Sequence, residues 1–163
     1  MRIGLISDTH GYLDARALAA LEGVDLVLHA GDVGSVAVLD GLRALAPVQA
    51  VRGNNDDKIG GLGLPFSLDL ELEGHHLHLV HRLQDARPPT GTDIVVTGHS
   101  HVTVAERRGA ILYVNPGAAG RAGFHSLQTV ALLDLGPDRV DASIVELGPR
   151  LGQTPPHRST ASR

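Results

Sequence analysis

The sequence predicts an α/β fold of two facing mixed β-sheets flanked by helices, and three observations carry that prediction. Short apolar runs alternate with helical periodicity over the first third of the chain. Strand-like runs crowd the remainder, and the first three apolar runs each end in short polar side chains. That last feature matters because ligands in such folds gather at the carboxyl ends of strands.

Residues 2–6 form the first apolar run and end in Ser7-Asp8, while 13–21 carry Leu and Ala at helical spacing. The opening therefore reads strand, loop, helix. Residues 25–30 repeat the strand, followed by Gly31-Asp32 and a helical stretch over 35–45; residues 48–51 make a third strand that runs into "RGNNDD". This alternation argues for parallel pairing with crossover helices. Next, "FSLDLELEGHHLHLVH" alternates Leu with polar residues on both sides of Gly74-His75, which predicts a hairpin with Gly at the first turn position. Its polar face, including His75, His76 and His78, is expected to meet water. Residues 93–97, 111–114, 127–135 and 139–147 supply four more strands. From 149 onward "PRLGQTPPHRSTASR" lacks periodicity, so a single domain over 1–148 is expected to be followed by a disordered tail, 149–163.

A chain of 163 residues buries roughly 70% of its unfolded surface and needs no staples. The absence of Cys excludes disulfides, thiolate zinc sites and cysteine nucleophiles. Glu22, Asp25 and His29 interrupt the longest apolar stretches, so none approaches the roughly 20 residues that span a bilayer. With no leader-like segment before the first strand, the expected location is the cytoplasm. The net charge of −4 lacks the basic excess of a nucleic-acid binder, so no nucleic-acid partner is expected. Ten histidines against two Phe and two Tyr call for an explanation.

Asp8-Thr9-His10 and His99-Ser100-His101 each place two ligand-type residues two apart, which in extended backbone point the same way and share one target. Either pair alone is weak, since a lone D-x-H is more often a capping Asp beside a surface His. Recurrence strengthens the reading: Asp32, Asn54, His81 and the second pair all follow apolar runs. Asp, Asn and His without Cys suit ions such as Mn²⁺, Fe²⁺, Ni²⁺ or Zn²⁺. These positions are too many for one ion and suit two, roughly 3.5 to 4 Å apart and sharing a carboxylate.

"DTH" (8–10), "GD" (31–32), "GNND" (53–56), His81, "GHSH" (98–101) and "NPGA" (115–118) stand in the order and approximate spacing of the calcineurin-like metallophosphoesterases. The chain resembles their small single-domain bacterial and archaeal phosphodiesterase branch over about residues 1–147. The resemblance implies a four-layer α/β/β/α sandwich. It implies one divalent ion held by Asp8, His10, Asp32 and His101 and another by Asp32, Asn54, His81 and His99, with Asp32 bridging and with Asp32, Asn54 and His99 as catalytic residues. Manganese is the first expectation for the metal, with iron, nickel or zinc as alternatives. The implied activity is hydrolysis of a small phosphodiester by in-line attack of a metal-bridging hydroxide. The alternative is a catalytically weak or inactive metal-binding scaffold of the same fold. The expected partner is a small phosphate-ester substrate, with no membrane and with a homo-oligomer open.

Two positions depart from the family pattern. Asn55 stands where many members carry a proton-donating His, which favours good leaving groups. Arg82 stands where Gly is usual; it points to solvent or reaches a phosphate, and crowding there would displace His81. Asp56 is expected to brace the loop, His29 to orient a ligand by hydrogen bond, Asn115 to hold a turn near the metals, and Arg121 to contact phosphate. Lys58 and "GGLGLP" are expected to form the rim.

Overall fold

The structure, a computed structural model, describes residues 1–152. Two five-stranded sheets face one another. The first contains β1 (Arg2–Ile6), β2 (Leu26–His29) and β3 (Val48–Ala50), all parallel, and the long antiparallel pair β9 (Leu127–Gly136) and β10 (Arg139–Pro149). Its order is β10-β9-β1-β2-β3. The second holds β4 (Ser67–Leu72), β5 (His75–Val80), β6 (Ile94–Val96), β7 (Val104–Arg108) and β8 (Ile111–Asn115), in the order β4-β5-β6-β8-β7. Here β5, β6 and β8 are parallel.

Alternation decides which sheet faces carry the cores. Ile3, Leu5 and Leu28 from the first sheet meet Leu77, Leu79, Ile94, Val96 and Val114 from the second, forming the interior between sheets. The opposite face of the first sheet presents Ile6, Val27 and Val130 to α1 (Ala15–Ala20) and α2 (Val36–Arg43), whose Ala17, Val38, Leu39 and Leu42 are buried there. The Asp14 carboxylate caps α1 by accepting from the Arg16 N–H at 2.8 Å. It also accepts from Gln128 at 2.9 Å, tying the helix start to β9.

The sandwich matches the expected architecture, and four details differ from the sequence reading. The segment 82–92, with a 3₁₀ turn at Leu83–Asp85, packs on the second sheet at His78 through Arg87, where a helix was expected. His78 is consequently buried, sharing a 2.7 Å contact with Asp69 and accepting from the Arg87 N–H at 3.3 Å, so it does not meet water. The hairpin turn is Glu73-Gly74, both left-handed (φ 51° and 79°), with Leu72 opposite His75; Gly is the second turn residue, as a type I′ turn demands. β7 and the single helical turn α3 (Asn54–Asp57) were not anticipated. β7 is an exposed edge reading "VAERR", which lacks an apolar period, and α3 is four polar residues.

Of the expected tail, Pro149 closes β10, and the Arg150 and Leu151 N–H groups donate to Ser126 and Gln128. Residues 153–163 lie outside the described residues. Among the described residues no helix is long and apolar enough to cross a membrane. The consequence for function is positional: six parallel strands, three per sheet, end toward Asp8, Asp32, Asn54, His81, His99 and Asn115.

Candidate metal centre

Asp8, His10, Asp32, His99 and His101 all have left-handed backbone, with φ of 54°, 47°, 54°, 67° and 59°. Among the described residues only Leu62 and Glu73 share that feature without being glycine. Each such residue costs roughly 1–2 kcal/mol, so the surrounding structure must hold it. The Asp8, His10 and Gly11 N–H groups donate to the carbonyls of Gly31, Asp32 and Val33 at 3.0, 2.9 and 2.8 Å, which extends β1–β2 pairing through the two loops. Glycines make the approach possible. A Cβ on Gly53 would collide with Asp32, and one on Gly98 with Ser7.

The extended geometry assumed for the two histidine-containing pairs is therefore wrong. His10 Nε2 still lies 3.9 Å from Asp8 Oδ1, because the tight loop folds the ring back. The other pair separates. His101 Nε2 faces Asp8 Oδ1 at 3.2 Å, whereas the His99 ring meets the His81 ring edge-on at 5.2 Å.

Two groups of donor atoms result, one of Asp8, His10 and His101 and one of Asp8, Asp32 and His81, each within 4.8 Å. Asn54 joins the second, its Oδ1 lying 3.1 Å from His81 Nε2. His81 Nδ1 lies 2.7 Å from the Ala30 carbonyl, an acceptor only, so Nδ1 carries the hydrogen. Nε2 faces Asn54 Oδ1 and, at 3.4 Å, Asp32 Oδ2: protonated it donates to them, and deprotonated it leaves three electron-rich atoms turned on one another. Asp8 Oδ1 is wholly buried and has no hydrogen-bond partner, the lone such side-chain atom among the described residues. A cation satisfies both groups, so these residues fit divalent metal.

The charges agree. Burial opposes ionisation of Asp32, but hydrogen bonds from His81 and Asn55 hold its carboxyl well below the usual range. Burial also opposes a charge on His81, yet the contacts with Asp32 and Asp8 raise it above an ordinary histidine. Burial and the neighbouring His81 lower His99, leaving a neutral ring suited to ligation. The remaining oxygen of Asp8, Oδ2, accepts from Ser7 Oγ at 2.5 Å and from the His99 N–H at 3.0 Å.

Residues 1–138 match the family model described as the calcineurin-like phosphoesterase superfamily domain. The chain belongs to this superfamily. It is 31% identical over 163 residues to a Methanothermobacter thermautotrophicus protein named "Probable metallophosphoesterase", covering 91% of this chain and 94% of that one. Among solved structures, an archaeal phosphodiesterase superposes with a TM-score of 0.74 at 26% identity, covering 89% of this chain and 100% of that one. Zinc-complexed Vps29 of Entamoeba histolytica gives a TM-score of 0.71 at 20% identity, covering 91% and 100%, a likeness of fold.

Within the superfamily pattern, the two departing positions take specific roles. Asn55 clamps Asp32: its N–H donates to Oδ1 at 2.8 Å and its Nδ2 to Oδ2 at 2.7 Å, while Lys58 donates to its own Oδ1 at 2.9 Å. Arg82 bonds Asp85 at 2.7 Å and does not crowd His81, which stays seated against Ala30. Asp56 braces the loop as expected, accepting from the N–H groups of Val33, Gly34 and Gly53 at 3.0, 2.9 and 2.8 Å. Asn115 likewise holds its turn, donating to the Gly98 carbonyl and accepting from the Gly117 N–H. His29 acts one step further out than expected. It accepts from the Gly31 N–H at 3.2 Å and contacts Thr9 Oγ1 at 2.9 Å, so it supports the loops that carry the candidate ligands and touches none of their side chains. Arg121 stacks on Tyr12 at 3.7 Å and does not line the main cavity.

That cavity, about 610 Å³, is floored by His10, Asp32, Asn54, Asn55, His99 and His101. Val102, the fully exposed Phe124 and His125 also line it. "GGLGLP" lies outside it. Sequence reasoning missed Ser7 and His125; Ser7 directly precedes Asp8, and nothing in the local spacing of His125 announces its contact with His101.

Proposed function

We propose that this metal-dependent phosphoesterase hydrolyses small phosphodiesters on a two-metal centre. One ion is held by Asp8, His10, Asp32 and His101, the other by Asp32, Asn54, His81 and His99. The observation that carries the reading is a buried cluster of donor atoms: Asp8 Oδ1, which has no hydrogen-bond partner, and His81 Nε2 facing both Asn54 and Asp32. When bound, two divalent ions supply charge for the phosphate and a water acidic enough to serve as nucleophile near neutral pH. The chain's own residues define what such a centre accepts. Asp8 and Asp32 bring two negative charges and Asn54 and the histidines bring none, so net positive charge is left for an anionic ester. Asn55 holds both oxygens of Asp32 and keeps the shared carboxylate in place.

The diester preference is supported by the cavity lining, which among the described residues includes no Lys or Arg. Nearby cations are engaged: Arg82 with Asp85, Lys58 with Asn55, Arg121 with Tyr12. A monoester dianion would need such charges for its second negative oxygen. Manganese is the proposed metal, since carboxylate, amide and imidazole donors suit it. The scaffold alternative is supported by a likeness of fold at 20% identity, whereas the two donor groups, joined by Asn54, favour the enzyme.

Metal content of the purified protein, with turnover of bis(p-nitrophenyl) phosphate and p-nitrophenyl phosphate in Mn²⁺, tests the reading. Two equivalents of metal and faster diester turnover are expected, with Asp32→Asn abolishing it. Faster monoester turnover would overturn the diester preference, bound metal without turnover would favour the scaffold, and absence of metal uptake would remove the site.

A further inference from the structure

We infer that His125 is a positioning residue that presents Nε2 of His101, in its unprotonated form, to Asp8 and the metal; the inference rests on the metal assignment above. His125 Nε2 lies 2.9 Å from the Gly120 carbonyl. A carbonyl only accepts, so Nε2 carries the hydrogen. In the neutral imidazole, whose single hydrogen Nε2 then holds, Nδ1 of His125 is an acceptor. It lies 3.1 Å from His101 Nδ1, the two rings meeting edge-on with centroids 5.0 Å apart. The contact requires His101 to donate from Nδ1, which leaves its Nε2 lone pair directed at Asp8 Oδ1, 3.2 Å away.

His81 reaches the same state in one step, with Nδ1–H on the Ala30 carbonyl at 2.7 Å. His101 reaches it through a relay one imidazole longer, ending on Gly120. The segment that carries His125 is built for this contact. A Cβ on Gly123, at φ 124°, would press into the His101 ring and lie 3.1 Å from His125 Nδ1, so the chain crosses the pair as glycine. The Gly120 N–H donates to the Asp8 carbonyl at 3.1 Å, and the Gly123 carbonyl accepts from Arg150. The residue that ends the relay is thus bonded to the residue that His101 faces.

Two variants separate hydrogen bonding from packing. His125→Leu keeps apolar volume and removes the acceptor; His125→Asn restores an acceptor near the place of Nδ1. Imidazole ¹⁵N shifts of the metal-free wild type are expected to show His101 protonated at Nδ1. Calorimetric titration with Mn²⁺ is expected to show one of two sites weakened about 10- to 100-fold in His125→Leu, the usual effect of losing a partner behind a ligand, and largely restored in His125→Asn. Three results would overturn the inference: an Nε2–H tautomer at His101 in the wild type, wild-type Mn²⁺ affinity in His125→Leu, or equal weakening in both variants. Failure of the metal assignment itself would show earlier and separately, as wild-type protein that takes up no Mn²⁺.

Discussion

Replacing His29 by Asn should change how stability depends on pH, and even which protein is the more stable in acid. His29 is wholly buried, accepts from the Gly31 N–H through Nδ1 and donates from Nε2 to Thr9 Oγ1. Burial pushes its pKa down to about 4. In the unfolded chain the same group titrates near 6.5. Between these values the unfolded state holds more protons than the folded one, so stability rises with pH across the window and falls as pH drops through it. A difference of about 2.5 pKa units at about 1.36 kcal/mol each makes the loss about 3 kcal/mol by roughly pH 4. Asn can still accept from Gly31 but leaves Thr9 without its partner, which costs about 1–2 kcal/mol at neutral pH. Guanidinium unfolding of both metal-free proteins between about pH 7.5 and 4 measures the difference. The wild type should lead at neutral pH, the two should cross near about pH 5.5, and the variant should lead below it. Parallel curves over the whole range would refute the claim that burial keeps His29 uncharged.

Asn55→Ala removes the 2.7 Å charge-assisted hydrogen bond to Asp32 Oδ2, worth about 1.5–3 kcal/mol, and should lower kcat/KM about 10- to 100-fold. Because Asn55 acts on Asp32, the loss should be the same for diesters with good and poor leaving groups; a loss that grows as the leaving group worsens would contradict the clamp. Asp56→Ala strips the partner from the N–H groups of Val33, Gly34 and Gly53, so about 3 kcal/mol or more of stability should disappear, a fall in Tm of roughly 6–12 °C. A shift of a degree or two by calorimetry would show that these N–H groups find other partners.

The sequence by itself determined most of the scaffold. Parallel strands ending at Asp8, Asp32 and Asn54 are legible because period and turn chemistry are local properties. Hydrogen-bonding residues with an obvious local task, Asp56 in its turn and Asn115 before Pro116, are legible for the same reason. Motif order pointed to the proposed ligand set, although the extended geometry assumed for Asp8-Thr9-His10 was replaced by left-handed backbone that the neighbouring loops hold in place. Tertiary structure alone decided what each donor atom faces. Asn55 reads as a missing acid in sequence and stands in space as the clamp on a residue 23 positions away. His78 reads as a surface residue until the segment 82–92 folds over it. His125 has no local signature, and it acquires a role because the chain between Gly120 and Ser126 crosses His101, a residue 24 positions earlier. A hydrogen bond is set by angstrom distances between atoms that the backbone brings together from afar, and one-dimensional spacing carries no record of that approach.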